Sequence, residues 1–316
     1  MVLLFLILIT LPVTAAGKGK NSKGPRPVGA VNSSNGGVYP VGKYATILKY
    51  FSFTKDQLYM DDDEIDFVRP GKGKKTRKKV YEQSIQKYDL IFRTGVYKDF
   101  DVRMIVPWVD KEMKRKSFNA DFTDDNSGIG DIKLLSRYRI MSQKNGPLNL
   151  AIGLGVKIPT GSSDGTDDSG KTLPGFLQTG SGSWDPIIEL GMHKIMGPHW
   201  MSSYFMYLMT TEGELGHYDF ERPDVFKYNF AYAYALSNMF DVGIELNGEV
   251  KGKAELNGVE IDNTGGHSIF ISPEVHFKFA KGMHFNLCMP IAVYHDLNGP
   301  QLAEDYRIVA KLAMNF

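Results

Sequence analysis

The chain has 316 residues and a formal net charge of +1, which is too balanced to indicate a nucleic-acid-binding protein. Its single cysteine, Cys288, excludes an internal disulfide. No stretch approaches the ~18 consecutive apolar residues of a transmembrane helix, so insertion into a membrane would require β-strands.

The N-terminus begins with an almost unbroken apolar run over residues 2–13, followed by small residues. The run is too short to span a bilayer as a helix, and the small residues after it are typical of a cleavage site. We therefore predict a signal peptide over residues 1–16, cleaved near Ala15 or Ala16. The alternatives are a buried N-terminal strand and an uncleaved anchor.

Residues 17–42 are rich in Gly, Pro, Asn, Ser and Lys and show no periodicity, which predicts a flexible periplasmic segment. From residue 43 onward, tight turns alternate with long polar loops, and strand candidates lie between them. The tight turns fall near residues 144–147, 196–199, 237–238 and 281–282, and the long loops near 54–80, 111–127, 159–182, 211–223, 251–265 and 295–304. The spacing predicts about twelve antiparallel strands over residues 43–316.

The strand over residues 148–158 shows the alternation most clearly. A period of two places successive side chains on opposite faces of a strand. One face is wholly apolar and the other carries small or polar residues; the apolar positions are Leu148, Leu150, Ile152, Leu154, Val156 and Ile158. This pattern alone leaves a soluble sandwich or a lipocalin-like barrel open.

The C-terminal strand favours a membrane barrel. From Tyr306 to Phe316 apolar and polar residues alternate, and the chain ends on the aromatic Phe316. A terminal aromatic on an amphipathic strand resembles the assembly signal of bacterial outer-membrane proteins. We predict an all-β, transmembrane antiparallel β-barrel with short periplasmic turns and long extracellular loops. Its last strand pairs with the first, near residues 43–53, because an open sheet edge in lipid leaves backbone groups unsatisfied.

Four segments also resemble a known family. They are GKYATILKYFSFTKDQLY from residue 42, GIGDIKLLSRYRI from residue 128, KIPTG from residue 157 and TGSGSWDP from residue 179. Their order and spacing are similar to those of the outer-membrane protein family of the phenol-degradation meta pathway. The resemblance implies a barrel in the bacterial outer membrane that passes small molecules, including hydrophobic or aromatic ones.

If the apolar faces meet lipid, the opposite faces line the lumen, and these are strongly charged. Early strands contribute mainly basic residues and later strands acidic ones. The candidate pore-lining residues are Arg93, Arg103, Lys133, Arg137, Arg139, Lys157, Asp185, Glu189, Asp241, Glu245 and Glu274. Two interpretations stay open: a polar pore with a transverse field, or cross-barrel ion pairs that plug a narrow barrel.

Other motifs give weaker signals. The basic loop 69–79 is suited either to lipopolysaccharide phosphates and anionic solutes or simply to solvent. The acidic loop with Asp164, Asp167 and Asp168 is more typical of a solvated loop than of a calcium site. Residues 161–165 match a nucleophile-elbow string without its strand-turn-helix context.

We therefore predict a channel or transport protein that is not an enzyme and uses no cofactor or metal. Its predicted partners are outer-membrane lipid and lipopolysaccharide, the outer-membrane assembly machinery and a small-molecule solute, with no nucleic acid. The alternatives are a non-conducting structural or adhesive barrel and, third, a barrel hydrolase.

Overall fold

A computed structural model describes residues 25–65, 79–117, 120–167 and 169–316. Within these ranges the chain is all-β, and no helix has the length and apolar character needed to cross a membrane. The strands are β1 (Tyr44–Lys55), β2 (Gln57–Asp61), β3 (Asp63–Glu64), β4 (Lys79–Tyr97), β5 (Phe100–Ser117), β6 (Ala120–Ile129), β7 (Ile132–Met141), β8 (Asn149–Ile158), β9 (Asp185–Met196), β10 (His199–Leu208), β11 (Glu212–Leu215), β12 (Tyr218–Glu221), β13 (Val225–Ala235), β14 (Phe240–Lys251), β15 (Ala254–Leu256), β16 (Val259–Ile261), β17 (Gly266–Ala280), β18 (Met283–Cys288), β19 (Ile291–Ala303) and β20 (Arg307–Asn315).

Twelve antiparallel strands close into a barrel, as the sequence predicts. The order around the barrel is β1, β4, β5, β7, β8, β9, β10, β13, β14, β17, β18 and β20, and β20 then pairs with β1. The closing pair runs from Ala45 opposite Asn315 to Phe53 opposite Arg307. At its end the rings of Tyr44 and Phe316 stack with centroids 5.0 Å apart. The predicted closure between the first and last strands is therefore confirmed, while the role of Phe316 as an assembly signal stays a prediction.

The two ends of the barrel differ, and we call them the short-turn end and the long-loop end. At the long-loop end, several segments predicted as loops contain β-structure. β5 continues to Ser117 and pairs with β6, and β11, β12, β15 and β16 form a separate four-stranded sheet. These extensions lack an apolar face, because strands that project beyond a bilayer meet water on both sides. Periodicity could not identify them for that reason.

The barrel wall separates an apolar outer face from a charged inner face. Ile152 and Leu154 of β8 are exposed by 40% and 60%, whereas Ala151 between β8's outward residues is fully buried. Phe230 also lies on the apolar face, yet it is only 3% exposed because the neighbouring rings of Phe205 and Tyr228 cover it. The predicted facing is thus visible in the exposure pattern, with local aromatic packing added.

The predicted signal peptide and nearly all of the basic loop 69–79 lie outside the described residues, as does Asp168. Residues 25–42, in contrast, are described. They do not form a free periplasmic lead-in: they lie inside the barrel.

Candidate functional site

The candidate site is the barrel lumen together with residues 25–42, which we call the N-terminal segment. This segment contacts inward side chains of strands all around the barrel, from β4 and β5 to β14 and β17. Contacts with so many strands are available only from the inside. The prediction of a flexible segment was therefore wrong for residues 25–42, whose order comes from contacts with distant parts of the chain.

Carboxylates on β14 and β17 hold the first half of the segment, and we call Asp241, Glu245 and Glu274 the acidic wall. The Val28 backbone N–H donates to Asp241 at 3.0 Å. The Val31 N–H donates to Glu245 at 2.6 Å and to Glu274 at 3.1 Å, and the Asn32 N–H donates to Glu245 at 3.1 Å. The acidic wall thus supplies acceptors for backbone amides that have no sheet partner.

Arginines on β4, β5 and β7 hold the second half, and we call Arg93, Arg103 and Arg137 the basic wall. Arg137 donates to the carbonyl oxygens of Asn35 and Gly37, at 2.7 and 2.8 Å. Arg93 donates to the same Gly37 oxygen at 2.6 Å, and Arg103 donates to the Ser34 hydroxyl. The basic wall therefore donates to carbonyl and hydroxyl oxygens of the segment, whereas the acidic wall accepts from its amides.

Close packing adds to these hydrogen bonds. Ala30 packs with Trp200, which is 2% exposed, in one apolar cluster, and Val31 packs with Cys288 in another. Gly29 has a φ of +106°, and a Cβ there would lie 1.9 Å from the Trp200 ring. A Cβ on Gly36 would lie 2.4 Å from the backbone oxygen of Asn149. The wall is shaped to the backbone of the segment, so side chains at these two glycines would not fit.

Ion pairs connect the predicted lumenal residues with one another. Arg103 contacts Glu189 at 2.8 Å although β7 and β8 separate their strands, so this pair crosses the lumen. Arg137 lies 3.7 Å from both Asp101 and Glu189, and all three are nearly fully buried. The lumen at this level is therefore filled by paired charges and by the N-terminal segment.

The remaining predicted residues lie apart from the segment. Lys157 pairs with Asp185, and Arg139 pairs with Asp99 near the short-turn end. Lys133 faces inward from β7 without a hydrogen bond or ion pair to any described residue. Their role in lining a pore stays a proposal.

Beyond the tip of the segment lies a cavity of about 130 Å³, which we call the lumenal cavity. Asn32 and Ser33 form its floor, and its charged lining residues are Lys49, Lys227, Glu249 and Arg307. None of these four is among the predicted pore-lining residues, although the signal was available. Each of them has a bulky apolar residue directly beside it in its strand. The same alternation identified the other lumenal residues.

At the long-loop end, the connection between β8 and β9 folds against the inward side of β5. Leu173 and Leu177 pack on Met113, and Lys111 donates to the backbone oxygen of Gln178 at 2.6 Å. The nucleophile-elbow string lies in this connection, outside any strand-turn-helix context. The β8–β9 connection therefore fills part of the barrel interior at the long-loop end.

Among the described residues, one group could hold a metal ion: Glu245, Glu274 and Cys288, whose ligand atoms lie within 4.8 Å of one another. Oxygens of both carboxylates already accept the Val31 amide. The cluster is explained by its contacts with the N-terminal segment.

Comparison with known proteins places this geometry in context. Residues 81–311 match the family described as "Putative MetA-pathway of phenol degradation". The chain is similar to the crystal structure of an outer membrane channel from Pseudomonas putida F1, with a TM-score of 0.66 and 15% identity over 91% of this chain and 100% of that chain. The curated proteins contain no significant match.

Two further solved structures are similar at a lower level. One is the transport unit of the autotransporter AIDA-I from Escherichia coli, with a TM-score of 0.45 and 8% identity over 98% of this chain and 95% of that chain. The other is a Pseudomonas aeruginosa FadL homologue, with a TM-score of 0.42 and 8% identity over 87% of this chain and 90% of that chain.

Proposed function

Because the chain belongs to the MetA-pathway phenol degradation family and forms an outer-membrane β-barrel, we propose that it is a gated channel for small molecules, with the N-terminal segment as its gate. The observation that carries the proposal is how the segment is held. Residues 25–40 form no strand and contact the wall largely through side chain-to-backbone hydrogen bonds. Such contacts can break without separating any pair of barrel strands.

Two observations indicate the class of solute. The family description refers to phenol degradation, which favours aromatic compounds. The lumenal cavity is also small: its volume of about 130 Å³ is close to the ~150 Å³ of an apolar cavity known to bind benzene. We propose that the channel passes compounds with about one aromatic ring.

A reversible disulfide between the N-terminal segment and the barrel wall tests the proposal. The Asn32 side chain lies 3.1 Å from the Cys288 sulfur, so Asn32→Cys places a second thiol beside the chain's single native one. In planar bilayers we expect the oxidised variant to stay closed and the reduced variant to conduct like the wild type. The control is Asn32→Ser, whose conductance should not respond to the same oxidant. Equal conductance of the oxidised and reduced Asn32→Cys protein would reject the gate.

A second candidate function is a non-conducting structural or adhesive barrel. The observation that favours it is the filled lumen, with the N-terminal segment on one side and the β8–β9 connection on the other. Wild-type protein that shows neither conductance nor solute flux in lipid vesicles would support this candidate and reject the channel.

A further inference from the structure

The charges around the lumenal cavity do not balance. Lys49, Lys227 and Arg307 line it, whereas Glu249 is the one carboxylate among its lining residues. Glu249 accepts from Lys227 at 2.9 Å and from Arg307 at 2.7 Å. Arg307 has a second partner in Glu304. Lys49 is therefore the cation without a carboxylate.

The surroundings of Lys49 confirm this imbalance. Its ammonium group donates to the Val31 backbone oxygen at 3.4 Å, a long hydrogen bond, and no carboxylate of the described residues lies within ion-pair distance. An ammonium group has three donors, so at least two remain for another acceptor. The two carboxylates nearest in charge to Lys49 have other partners: Asp89, opposite it on β4, pairs with Lys87, and Glu245 accepts from the N-terminal segment. A partly buried cation that pairs directly with no carboxylate is costly unless an anion joins it.

Aromatic rings form another side of the cavity. Phe270 is fully buried, and the Arg307 guanidinium lies 4.1 Å from its ring centroid. Phe51, also in the cavity lining, has the same guanidinium at 5.6 Å. Phe270 therefore supports Arg307 from behind, and Phe51 is the partly exposed ring of the two. The cavity combines this apolar ring with an unpaired ammonium group, and its volume is that of one small ring.

From this arrangement we propose that the lumenal cavity binds a small organic monoanion, with its carboxylate on Lys49 and its ring-sized apolar body against Phe51. The inference deepens the proposed channel function, since it names the solute class at a site beside the gate. The bound anion contacts Asn32 and Ser33 at the tip of the N-terminal segment and competes with the Val31 carbonyl for Lys49.

Calorimetry on the detergent-solubilised full chain tests the proposal with three probes. Benzoate should bind saturably, benzyl alcohol should bind weakly because it lacks the charge, and acetate should bind weakly because it lacks the ring. Lys49→Met should weaken benzoate binding by at least about tenfold, corresponding to roughly 1.4 kcal/mol. Lys144→Met, which removes a charge from an exposed turn, is the matched control and should leave it unchanged.

Equal binding of benzoate and benzyl alcohol by the wild type would overturn the proposal, even if Lys49→Met did not fold. Unchanged benzoate affinity in folded Lys49→Met would also overturn it. Acetate binding as tight as benzoate binding would show an anion site without an apolar subsite, which contradicts the ring contact. If the protein conducts but does not bind benzoate, this inference alone is rejected. If it binds benzoate but does not conduct, the channel function alone is rejected.

Discussion

The basic wall and the acidic wall hold the same short segment by opposite chemistry. Arg137 and Arg93 donate to carbonyl oxygens, whereas the carboxylates of the acidic wall accept from amides. An extended backbone without a sheet partner exposes both kinds of group, and each needs a partner when it is buried. We propose that the charge asymmetry across the lumen serves to seat the segment.

The strongest way to break this arrangement is Arg137→Ala on the basic wall. The change removes both carbonyl contacts and leaves Asp101 and Glu189 with less compensation in a buried position. We expect it to lower the free energy of unfolding by about 3–5 kcal/mol, as for a broken buried ion pair. Urea unfolding in detergent measures this, and conductance should rise.

The matched control is Arg139→Ala, two positions along the same strand. Its pair with Asp99 is about one-third exposed, so the expected cost is about 0–1 kcal/mol. If both substitutions lower the free energy of unfolding by similar amounts, the contact of Arg137 with the segment adds nothing to stability.

A smaller effect should follow from Gly36→Ala, which tests the fit of the backbone against the wall and not the charges. The new Cβ would lie 2.4 Å from the Asn149 oxygen, so the segment must shift away. We expect a loss of about 1–3 kcal/mol, typical of overpacking, with increased conductance in bilayers. Gly252→Ala is the control, because its nearest neighbouring atom lies 3.7 Å away. If the Gly36→Ala protein conducts no more than the wild type, the tight fit of the segment against the wall is contradicted.

The smallest effect should come from Glu245→Gln on the acidic wall. The amide oxygen still accepts from Val31 and Asn32, but the bonds lose their charge assistance. Asn229 and Asn247 donate to the other Glu245 oxygen, so their side-chain amides must turn over to accept from the new amide nitrogen, with the hydroxyls of Ser33 and Ser272 as their new acceptors. We expect a cost of about 1 kcal/mol. Hydrogen exchange of a peptide covering residues 28–34 should accelerate severalfold. Glu212→Gln, at an exposed position of the long-loop end, should leave that peptide unchanged.

The sequence predicted the barrel because its wall follows a local rule. Alternation identifies a strand within about ten residues, and the apolar face of β8 or the closing strand ending at Phe316 shows it directly. Exposed extensions such as β6 have no apolar face and were missed. The membrane-spanning part of a strand can be recognised from its local sequence, whereas an extension of the strand into water cannot.

The N-terminal segment could not be predicted for a different reason. Its glycines, serines and prolines are typical of a flexible chain, and its order depends on residues such as Glu245, 214 positions away in the sequence. Single-sequence reasoning named all six residues of the two walls as candidate inward charges but had no means of seeing what they hold. Lys49 was missed although it stands between Leu48 and Tyr50, where the same alternation assigns it inward.

Both ends of the N-terminal segment lie at the same mouth of the barrel. The Arg26 carbonyl accepts from Lys278, which also contacts Ser237 in a tight turn, and Val41 bridges to Gly95 at the short-turn end. The segment is therefore a loop that enters and leaves the barrel through the same opening. In the proposed gating, the segment can therefore withdraw through this one opening while the seam between β1 and β20 stays closed.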